Sequence, residues 1–356
     1  MPSSSIAART RVSAFVLALL GAVTLLAGGP ARADEGPRVV TSIKPLHALA
    51  AAVMGGHGHL DVLLKGGESP HTYSLRPSDA RTLSQADMVF WVGPGLETFL
   101  VKPLSTLAGN ARVVELMEAP GMAHLPLREG GVWEAHTHGD HDADHGAEHK
   151  DHDADHKDHA AEHKDHDHDA HEAEHHDHEH EGDDDMHVWL DPANARAMAA
   201  AMAQALAALD PAHADDYRAN AARLDGELAA LTARLDARLA PVRTVPYIVF
   251  HNAYQYFEKR FGLSPAGSIT LSPERHPGAK RLSEIRHRME EAGVACVFTE
   301  PQFEPRLVAT VVADTKVRTG QLDPLGAGLP DGPGFYARLL DGLADSLVGC
   351  LKQGGS

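Results

Sequence analysis

Basic residues, cysteines and long apolar runs are all scarce in this 356-residue sequence, and each scarcity narrows what the chain can be. Because 32 lysines and arginines accompany 50 aspartates and glutamates, we expect no basic surface for nucleic acid. The apolar run at 12–26 is shorter than the ~20 residues that a membrane-spanning helix needs. The two cysteines, Cys296 and Cys350, lack the C-x-x-C spacing of a thiolate metal site, and no histidine stands beside either. What remains is a globular chain whose 43% hydrophobic content is enough for one large or two medium cores.

The first 33 residues have the pattern of a secretory signal peptide. Arg9 and Arg11 give a positively charged start, the apolar run at 12–26 follows, and residues 31–33 read A-R-A, as at a cleavage site. The alternative, a membrane anchor, is disfavoured by the short run. We therefore predict cleavage after Ala33 and export to an oxidising compartment.

The two cysteines fit that compartment. Two cysteines in an exported protein usually pair, and closing the loop between Cys296 and Cys350 would stabilise the fold by roughly 4 kcal/mol in the chain-entropy model. A pair of buried free thiols is the alternative. We expect a structural disulfide.

Negative charge and histidine are concentrated in one low-complexity tract. Residues 136–185 contain 20 acidic residues and 3 lysines, a net charge of −17. Apolar residues other than alanine are missing from 136–180, so we expect this tract to be disordered without metal. Its imidazoles and carboxylates predict a low-affinity metal reservoir. The histidines concerned are His136, His138, His141, His145, His149, His152, His156, His159, His163, His166, His168, His171, His175, His176, His178 and His180.

The spacing within this tract leaves two interpretations open. From 141 to 166, successive histidines are three or four residues apart, a spacing that would align them along one face of a helix. Metal binding could therefore induce a helix. Expansion of the repeat H-K-D-H, which recurs at 149, 156 and 163, would give the same spacing without one. The second interpretation is favoured, because a helix without tertiary packing is marginal in water.

Outside the tract, short apolar strands alternate with helices. Residues 88–92 (M-V-F-W-V), for example, are an unbroken apolar run, as expected for a buried parallel strand. The pattern predicts strands at 39–43, 60–64, 88–92, 113–117, 246–250, 266–270, 295–299 and 317–321, and helices that include 192–209, 252–261, 278–291 and 334–348. Such alternation predicts an α/β fold of two lobes, each a mostly parallel sheet flanked by helices, joined by a long rigid linking helix. The predicted organisation is a signal peptide at 1–33, an N-terminal lobe at 34–135, a His/Asp/Glu-rich loop at 136–185, the end of that lobe with the linking helices at 186–241, and a C-terminal lobe at 242–356.

Four polar residues stand where predicted strands end or where loops between the lobes begin: His71, His187, His251 and Asp323. In open α/β folds, ligands bind at the carboxyl ends of the strands. Taken singly, each histidine is more often a structural residue than a ligand. Their separation along the sequence does not show whether these four residues lie close together in the fold.

The segments around these residues are long and distinctive. They read H-T-Y-S-L-R-P-S-D at 71–79, A-D-M-V-F-W-V-G at 86–93, D-M-H-V-W-L-D-P at 185–192, F-H-N-A-Y-Q-Y-F at 250–257, T-E-P-Q-F at 299–303 and L-D-P-L-G at 322–326. Through them, and over essentially the whole mature chain, the sequence resembles the zinc-uptake members of the metal-specific (cluster 9, or A-I) solute-binding proteins of ABC importers. Those members also carry a His- and acid-rich insertion and a disulfide placed like Cys296 and Cys350.

The resemblance implies one metal site between the lobes, with His71, His187 and His251 as ligands. Glu300 and Asn252 would orient the imidazoles, and hydrogen bonding at strand ends is their alternative role. Manganese-type relatives have a carboxylate in place of His251. Because three neutral imidazoles suit Zn²⁺, the expected metal is zinc.

The fourth ligand stays open at this point. Zinc prefers four ligands in a tetrahedron. Asp323 matches a carboxylate position of the family, whereas Pro70 stands where some zinc-type members have an acidic residue. Water, Glu68 and a carboxylate of the tract are the other candidates.

The function implied by the resemblance is binding, not catalysis. A periplasmic monomer would capture Zn²⁺ and deliver it to the membrane permease of an ABC importer, which a cytoplasmic ATPase drives, while the tract acts as a zinc antenna. The stiff linking helix predicts small lobe shifts on binding. Two rival functions are a zinc-dependent adhesin or surface protein on the same fold, and a zinc hydrolase that uses three histidines and a water.

Overall fold

The computed structural model describes residues 36–128, 184–270 and 277–352. The predicted signal peptide at 1–33 and the histidines of 136–180 lie outside the described residues. In the part that is described, no helix combines the length and the apolar character needed to cross a bilayer.

The first lobe is built on four parallel strands in the order β2-β1-β3-β4. They are β1 (Arg38–Ile43), β2 (His59–Leu64), β3 (Met88–Trp91) and β4 (Arg112–Glu115). Three helices connect them: α1 (Lys44–Met54), α2 (Pro77–Ser84) and α3 (Thr98–Thr106). Every residue of β3 is buried, as its unbroken apolar run predicted.

Next along the chain come two long helices that join the lobes, α4 (Pro192–Leu209) and α5 (Ala214–Leu239). Pro192 stands in the first turn of α4, and the side chain of Asp191 caps this helix by accepting a hydrogen bond from the Ala193 amide. The apolar stripe of α5 is buried where it packs against α1 and against the last helix of the chain. The predicted two-lobe α/β fold with a long joining helix is therefore confirmed.

The second lobe repeats the first. Its four parallel strands follow the order β6-β5-β7-β8. They are β5 (Tyr247–His251), β6 (Pro265–Thr270), β7 (Cys296–Thr299) and β8 (Arg318–Gln321). The helices of this lobe are α6 (Gln255–Phe261), α7 (Ala279–Glu291), α8 (Arg306–Val312) and α9 (Phe335–Leu351).

Cys296, the first residue of β7, forms the predicted disulfide with Cys350 near the end of α9, and the two Cα atoms are 6.2 Å apart. The bond ties the last helix of the chain to an interior strand. This helix continues to Leu351, past the predicted end at 348, because Cys350 and Leu351 are buried against the core.

Helix α6 begins at Gln255, three residues later than the sequence pattern at 252 predicted. The residues before it form a tight turn in which the Ala253 amide donates to the His251 carbonyl at 2.8 Å. The turn leaves His251 as the last residue of β5, at the carboxyl edge of the sheet.

Candidate metal centre

His71 lies in the loop between β2 and α2, and its backbone amide donates to the Ser69 hydroxyl at 3.3 Å. The loop ends where the Asp79 carboxylate accepts a hydrogen bond from the Arg76 amide at 3.0 Å, at the start of α2. Tyr73 also donates to Asp79, at 2.5 Å. These bonds hold the loop that carries His71 against the first helical turn.

His187 precedes a short 3₁₀ turn at Val188–Leu190, and its carbonyl accepts the Leu190 amide at 3.2 Å. The turn is anchored in the second lobe, because the Trp189 indole donates to the Pro324 carbonyl at 2.8 Å. Three residues before His187, Asp184 forms an isolated antiparallel bridge with Pro126. The segment that carries the buried His187 is therefore held by both lobes.

His251 closes β5, which pairs with β6 on one side and β7 on the other. The backbone that carries His251 is therefore hydrogen-bonded to a neighbouring strand on each side. Its side chain is buried.

The fold brings these three histidines together. Nε2 of His187 lies 3.2 Å from Nε2 of His71 and 3.3 Å from Nε2 of His251. Nitrogens bound at ~2.0–2.1 Å to a tetrahedral zinc are themselves about 3.4 Å apart, so the spacing fits one ion. Among the described residues, this is the only group of at least three His, Cys, Asp or Glu side chains whose ligand atoms all lie within 4.8 Å of one another.

Two fully buried carboxylates hold the ring nitrogens that face away from this meeting point. Nδ1 of His187 donates to Asp185 at 2.7 Å, and Nδ1 of His251 donates to Glu300 at 2.7 Å. Protonation of Nδ1 leaves the lone pair of Nε2 free for a metal. Together the carboxylates supply two negative charges, which match a divalent cation.

Glu300 was a sequence candidate for this role, whereas Asp185 was missed. The signal for Asp185 was its position two residues before His187, which lets one carboxylate oxygen contact both the backbone amide at 3.0 Å and the ring of that histidine. Many loops contain the pattern D-x-H, so the spacing becomes informative only once the loop conformation is known.

His71 has a different environment. Its pKa is lowered well below its ordinary value, chiefly by burial and then by the neighbouring His187 and His251. The ring is therefore neutral at neutral pH, which is the form that binds a metal.

Asp323 lies outside the group formed by the three histidines. Its Oδ1 accepts three hydrogen bonds: from the Gln302 side chain at 2.9 Å, the Leu325 amide at 3.1 Å and the Gly326 amide at 2.9 Å. Its assignment as the fourth ligand stays a prediction.

Two further sequence candidates have partners of their own. Glu68 forms an ion pair with Arg76. Asn252 accepts a hydrogen bond from Arg128 at 3.3 Å, and its amide nitrogen is buried without a hydrogen-bond partner among the described residues. In this conformation, Asn252 makes no hydrogen bond to an imidazole of the described site.

Comparison with known proteins places the whole described chain in one family. The family model described as "Zinc-uptake complex component A periplasmic" matches residues 39–350. The chain is similar to the high-affinity zinc uptake system protein ZnuA of Brucella suis biovar 1, with 51% identity over 93% of this chain and 97% of that protein. It is also similar to the Yersinia pestis protein of the same description, with 39% identity over 88% and 91% of the two chains.

Solved structures show the same fold. A crystal structure of ZnuA superposes with a TM-score of 0.66 at 23% identity, covering 88% of this chain and 99% of that one. The periplasmic zinc-binding protein TroA of Treponema pallidum gives a TM-score of 0.68 at 19% identity over 89% and 99%. The family resemblance read from the motifs is thereby confirmed, and the chain belongs to the family of periplasmic zinc-uptake complex component A proteins, which are transport proteins and not enzymes.

Proposed function

We propose that this chain captures Zn²⁺ between its lobes and delivers it to the permease of an ABC importer. The ligands are His71, His187 and His251, and the working form is a periplasmic monomer cleaved after Ala33. The observation that carries the proposal is the separation of 3.2 and 3.3 Å between Nε2 of His187 and the corresponding nitrogens of the other two histidines. In the family, zinc uptake is the shared activity.

The donor set supports zinc over manganese. Three imidazole nitrogens form the inner layer, and no carboxylate of the described residues belongs to that group. Manganese and magnesium prefer oxygen ligands, whereas zinc binds imidazole well. Copper and nickel also accept imidazole, so selection against them would depend on which metal is available.

The lobes are tied together beside the cleft. Lys44, at the start of α1, donates to the carbonyls of Gly326 and Leu329 in the second lobe at 3.2 and 3.0 Å. It also pairs with Asp331 at 3.0 Å. These bonds, with the long helix α5, support loading and release through small lobe shifts and local loop movement, and not through wide hinge closure.

We also propose that the His-rich tract serves as an antenna. Its net charge of −17 would raise the local concentration of cations, and its imidazoles would bind them weakly. The described end of the segment that follows the tract, Asp184, is three residues from His187. Metal held by the tract would therefore be released close to the cleft.

Titration calorimetry on the mature chain tests the site and the antenna together. The full mature chain is expected to show one tight Zn²⁺ site and several weaker ones, and a chain lacking 136–180 only the tight one. Loss of the tight site on deletion would contradict the antenna model. A tight site that survives His187→Ala with unchanged affinity would contradict the ligand assignment.

The cellular role is tested separately. A strain lacking this chain is expected to stop growing under zinc chelation and to recover when the chain, or added zinc, is supplied. Normal growth would favour the adhesin or surface-protein alternative. Zinc-dependent hydrolysis of ester or peptide substrates by the purified chain would favour the hydrolase.

A further inference from the structure

Methionine sulfurs are the groups of this chain that a mild oxidant attacks first. The chain has two cysteines, and both are joined in the disulfide, so no thiol competes for the oxidant. Oxidation of a methionine thioether gives a sulfoxide, which is polar where the thioether was apolar. Because susceptibility follows exposure, burial determines which methionines are oxidised first.

Burial protects most of the methionines. All of the nine except Met1 lie in the described residues. Six of these eight are at most 4% exposed: Met54, Met88, Met117, Met198, Met202 and Met289. Among the described residues, only Met122 and Met186 are partly exposed. The structure therefore offers an oxidant two methionines, and their surroundings differ.

Met186 packs against two glycines of the turn that follows β3. A Cβ atom at Gly95 would lie 3.0 Å from both Cγ and Sδ of Met186, and a Cβ atom at Gly93 would lie 3.1 Å from its Cε. The thioether therefore fills the space that side chains at these two positions would need. The backbone φ of Gly95 is not positive, so the close approach of Met186, and not the backbone conformation, accounts for glycine at this position.

Met186 also stands between two residues of the metal centre, Asp185 and His187. Oδ1 of Asp185 accepts the backbone amide of His187 at 3.0 Å and its ring Nδ1 at 2.7 Å. The chain thus turns back on itself at Met186, and a displacement of Met186 would alter how Asp185 holds the imidazole. Met122, by contrast, is flanked in the chain by Gly121 and Ala123.

A sulfoxide does not suit the place that the thioether occupies. An oxygen added to the sulfur has no room on the side of Gly95. The turn also offers few donors to that oxygen, because the Gly93 amide already donates to Glu97 at 3.0 Å and Pro94 has no amide hydrogen. Burying a polar acceptor without a donor is costly, so the oxidised side chain is expected to move toward water.

We infer that Met186 is an oxidation site, at which an oxidant of the peroxide class lowers the affinity of the chain for zinc. The sulfur forms a bond to one peroxide oxygen, the O–O bond breaks, and the other oxygen leaves as water; the sulfur is oxidised and the peroxide is reduced. Methionine sulfoxide reductases reverse this change. The effect on zinc rests on the proposed function, since it requires His187 to bind the metal, whereas the oxidation itself does not.

Limited oxidation of the metal-free mature chain with hydrogen peroxide tests the inference. Mass spectrometry of peptides is expected to find the added oxygen at Met122 and Met186 before it appears at the six buried methionines. Competition with a chelator should then give a zinc Kd about 10- to 100-fold higher than before oxidation, as for other changes in residues that orient metal ligands.

Two variants assign that loss to one sulfur. Met186→Leu keeps an apolar side chain of similar volume and removes the sulfur, so its zinc Kd should be the same before and after the peroxide treatment. Met122→Leu is the matched control, because it removes the other partly exposed sulfur. It should lose zinc affinity on oxidation as the wild type does.

The outcomes separate the inference from the function on which it rests. If the untreated wild-type chain binds no zinc tightly, the proposed function fails and the effect on zinc fails with it, while the peptide spectra still show whether Met186 is oxidised. If Met186 stays unoxidised while buried methionines react, the site is overturned. If Met186 is oxidised and the Kd is unchanged, or if Met186→Leu loses as much affinity as the wild type, the inference is overturned as well.

Reduction of the oxidised wild-type chain covers the case in which Met186→Leu does not fold, which melting of the metal-free variant would reveal. A pair of methionine sulfoxide reductases, one for each sulfoxide epimer, is expected to remove the oxygen from Met186 and to return the zinc Kd to its starting value. A Kd that stays high after Met186 has been reduced would assign the loss to other damage and overturn the inference.

Discussion

Two buried carboxylates, Asp185 and Glu300, determine the protonation and orientation of the imidazoles that they contact. Each accepts a proton-bearing Nδ1 at 2.7 Å, on His187 and His251 respectively. Without a divalent cation, both negative charges are buried among imidazoles, which is costly. With one, the site is electrically balanced. The negative charges of Asp185 and Glu300 therefore favour the zinc-bound site over the empty one.

Asp185→Asn and Glu300→Gln should each lower zinc affinity by about 10- to 100-fold, because each removes a negative charge and weakens the hydrogen bond to an imidazole. The rise in Tm on adding zinc should shrink in step, since ligand binding stabilises in proportion to affinity. Competition with a chelator measures the affinity. Glu290→Gln, at an exposed position on α7, is the matched control. Unchanged affinity in both site variants would show that these carboxylates serve only the fold.

At the scale of elements, helix α6 holds the segment that leads into the His-rich tract. Arg128 contacts the buried Glu258 at 2.6 Å, and the Gln255 side chain donates to the Pro126 carbonyl at 3.0 Å. Burial raises the pKa of Glu258, and the charge of Arg128 opposes that rise. Residues 126–128 are thus held against helix α6, which begins four residues after His251.

Arg128→Met should lower the free energy of unfolding by about 3–5 kcal/mol, because Glu258 would keep a buried charge without its partner. Replacing both residues, as Arg128→Met with Glu258→Leu, should recover much of the loss. Urea unfolding measures both. Arg223→Met breaks an exposed pair with Glu227 on α5 and should change stability by less than about 1 kcal/mol. If Arg223→Met lowered the free energy of unfolding as much as Arg128→Met, burial would not explain the cost of breaking the Arg128–Glu258 pair.

Helix α3 starts beside another buried carboxylic acid, Glu97. It accepts hydrogen bonds from the Val92 and Gly93 amides at 3.1 and 3.0 Å and from the Ser42 hydroxyl at 2.5 Å. Burial is the larger effect, and it raises the pKa of Glu97 to about 7 from an ordinary value of 4.5. In the folded chain, the neutral acid is therefore the favoured form below about pH 7.

Because the folded chain holds this proton more tightly than the unfolded chain, the contribution of Glu97 to stability is complete below about pH 4.5 and is lost as the pH rises to about 7. The loss amounts to about 3 kcal/mol. Glu97→Gln should remove this slope from the free energy of unfolding measured between about pH 5 and 7. Glu118→Gln, at an exposed position, is the control. If the slope persists in Glu97→Gln, it arises from the titration of other groups.

On the scale of the whole molecule, the two proposed classes of zinc site differ in how protons compete with the metal. The pKa of His71 in the cleft is lowered well below its ordinary value. Histidines in a solvated tract are expected to keep a pKa of about 6.5. As the pH falls, zinc should therefore dissociate from the tract before it dissociates from the cleft.

At pH 5.5, an imidazole with a pKa of about 6.5 is about 90% protonated, so each tract histidine should lose about tenfold in affinity relative to neutral pH. Titration calorimetry of the mature chain at pH 7.5 and pH 5.5 should show the tight site at both values and the weak sites only at the higher one. If the tight site lost as much zinc affinity at pH 5.5 as the weak sites, the cleft histidines would not be protected from protonation. The chain without 136–180 gives the cleft alone as reference.

Much of the architecture followed from local patterns. The period of apolar residues placed nearly every strand and helix within a few residues, because burial in a layered fold imposes that period. The differences lie at element ends. Gln255, for instance, begins α6 later than predicted because the backbone turns after His251. End positions depend on hydrogen bonds that sequence periodicity does not report.

The sequence by itself determined the residue types at the site, the two lobes, the disulfide partners and the family, because contiguous segments carry that information. Only the tertiary structure decided how close the three imidazoles come and that Asp185 holds one of them. It also decided that the Gln302 amide turns its nitrogen toward Gly66 and Asp323. The contact of Asp185 with His187 depends on the conformation of a single loop. The other properties depend on the relative placement of segments that are 20 to more than 200 residues apart. Local preference cannot set such distances, since they result from the packing of whole elements.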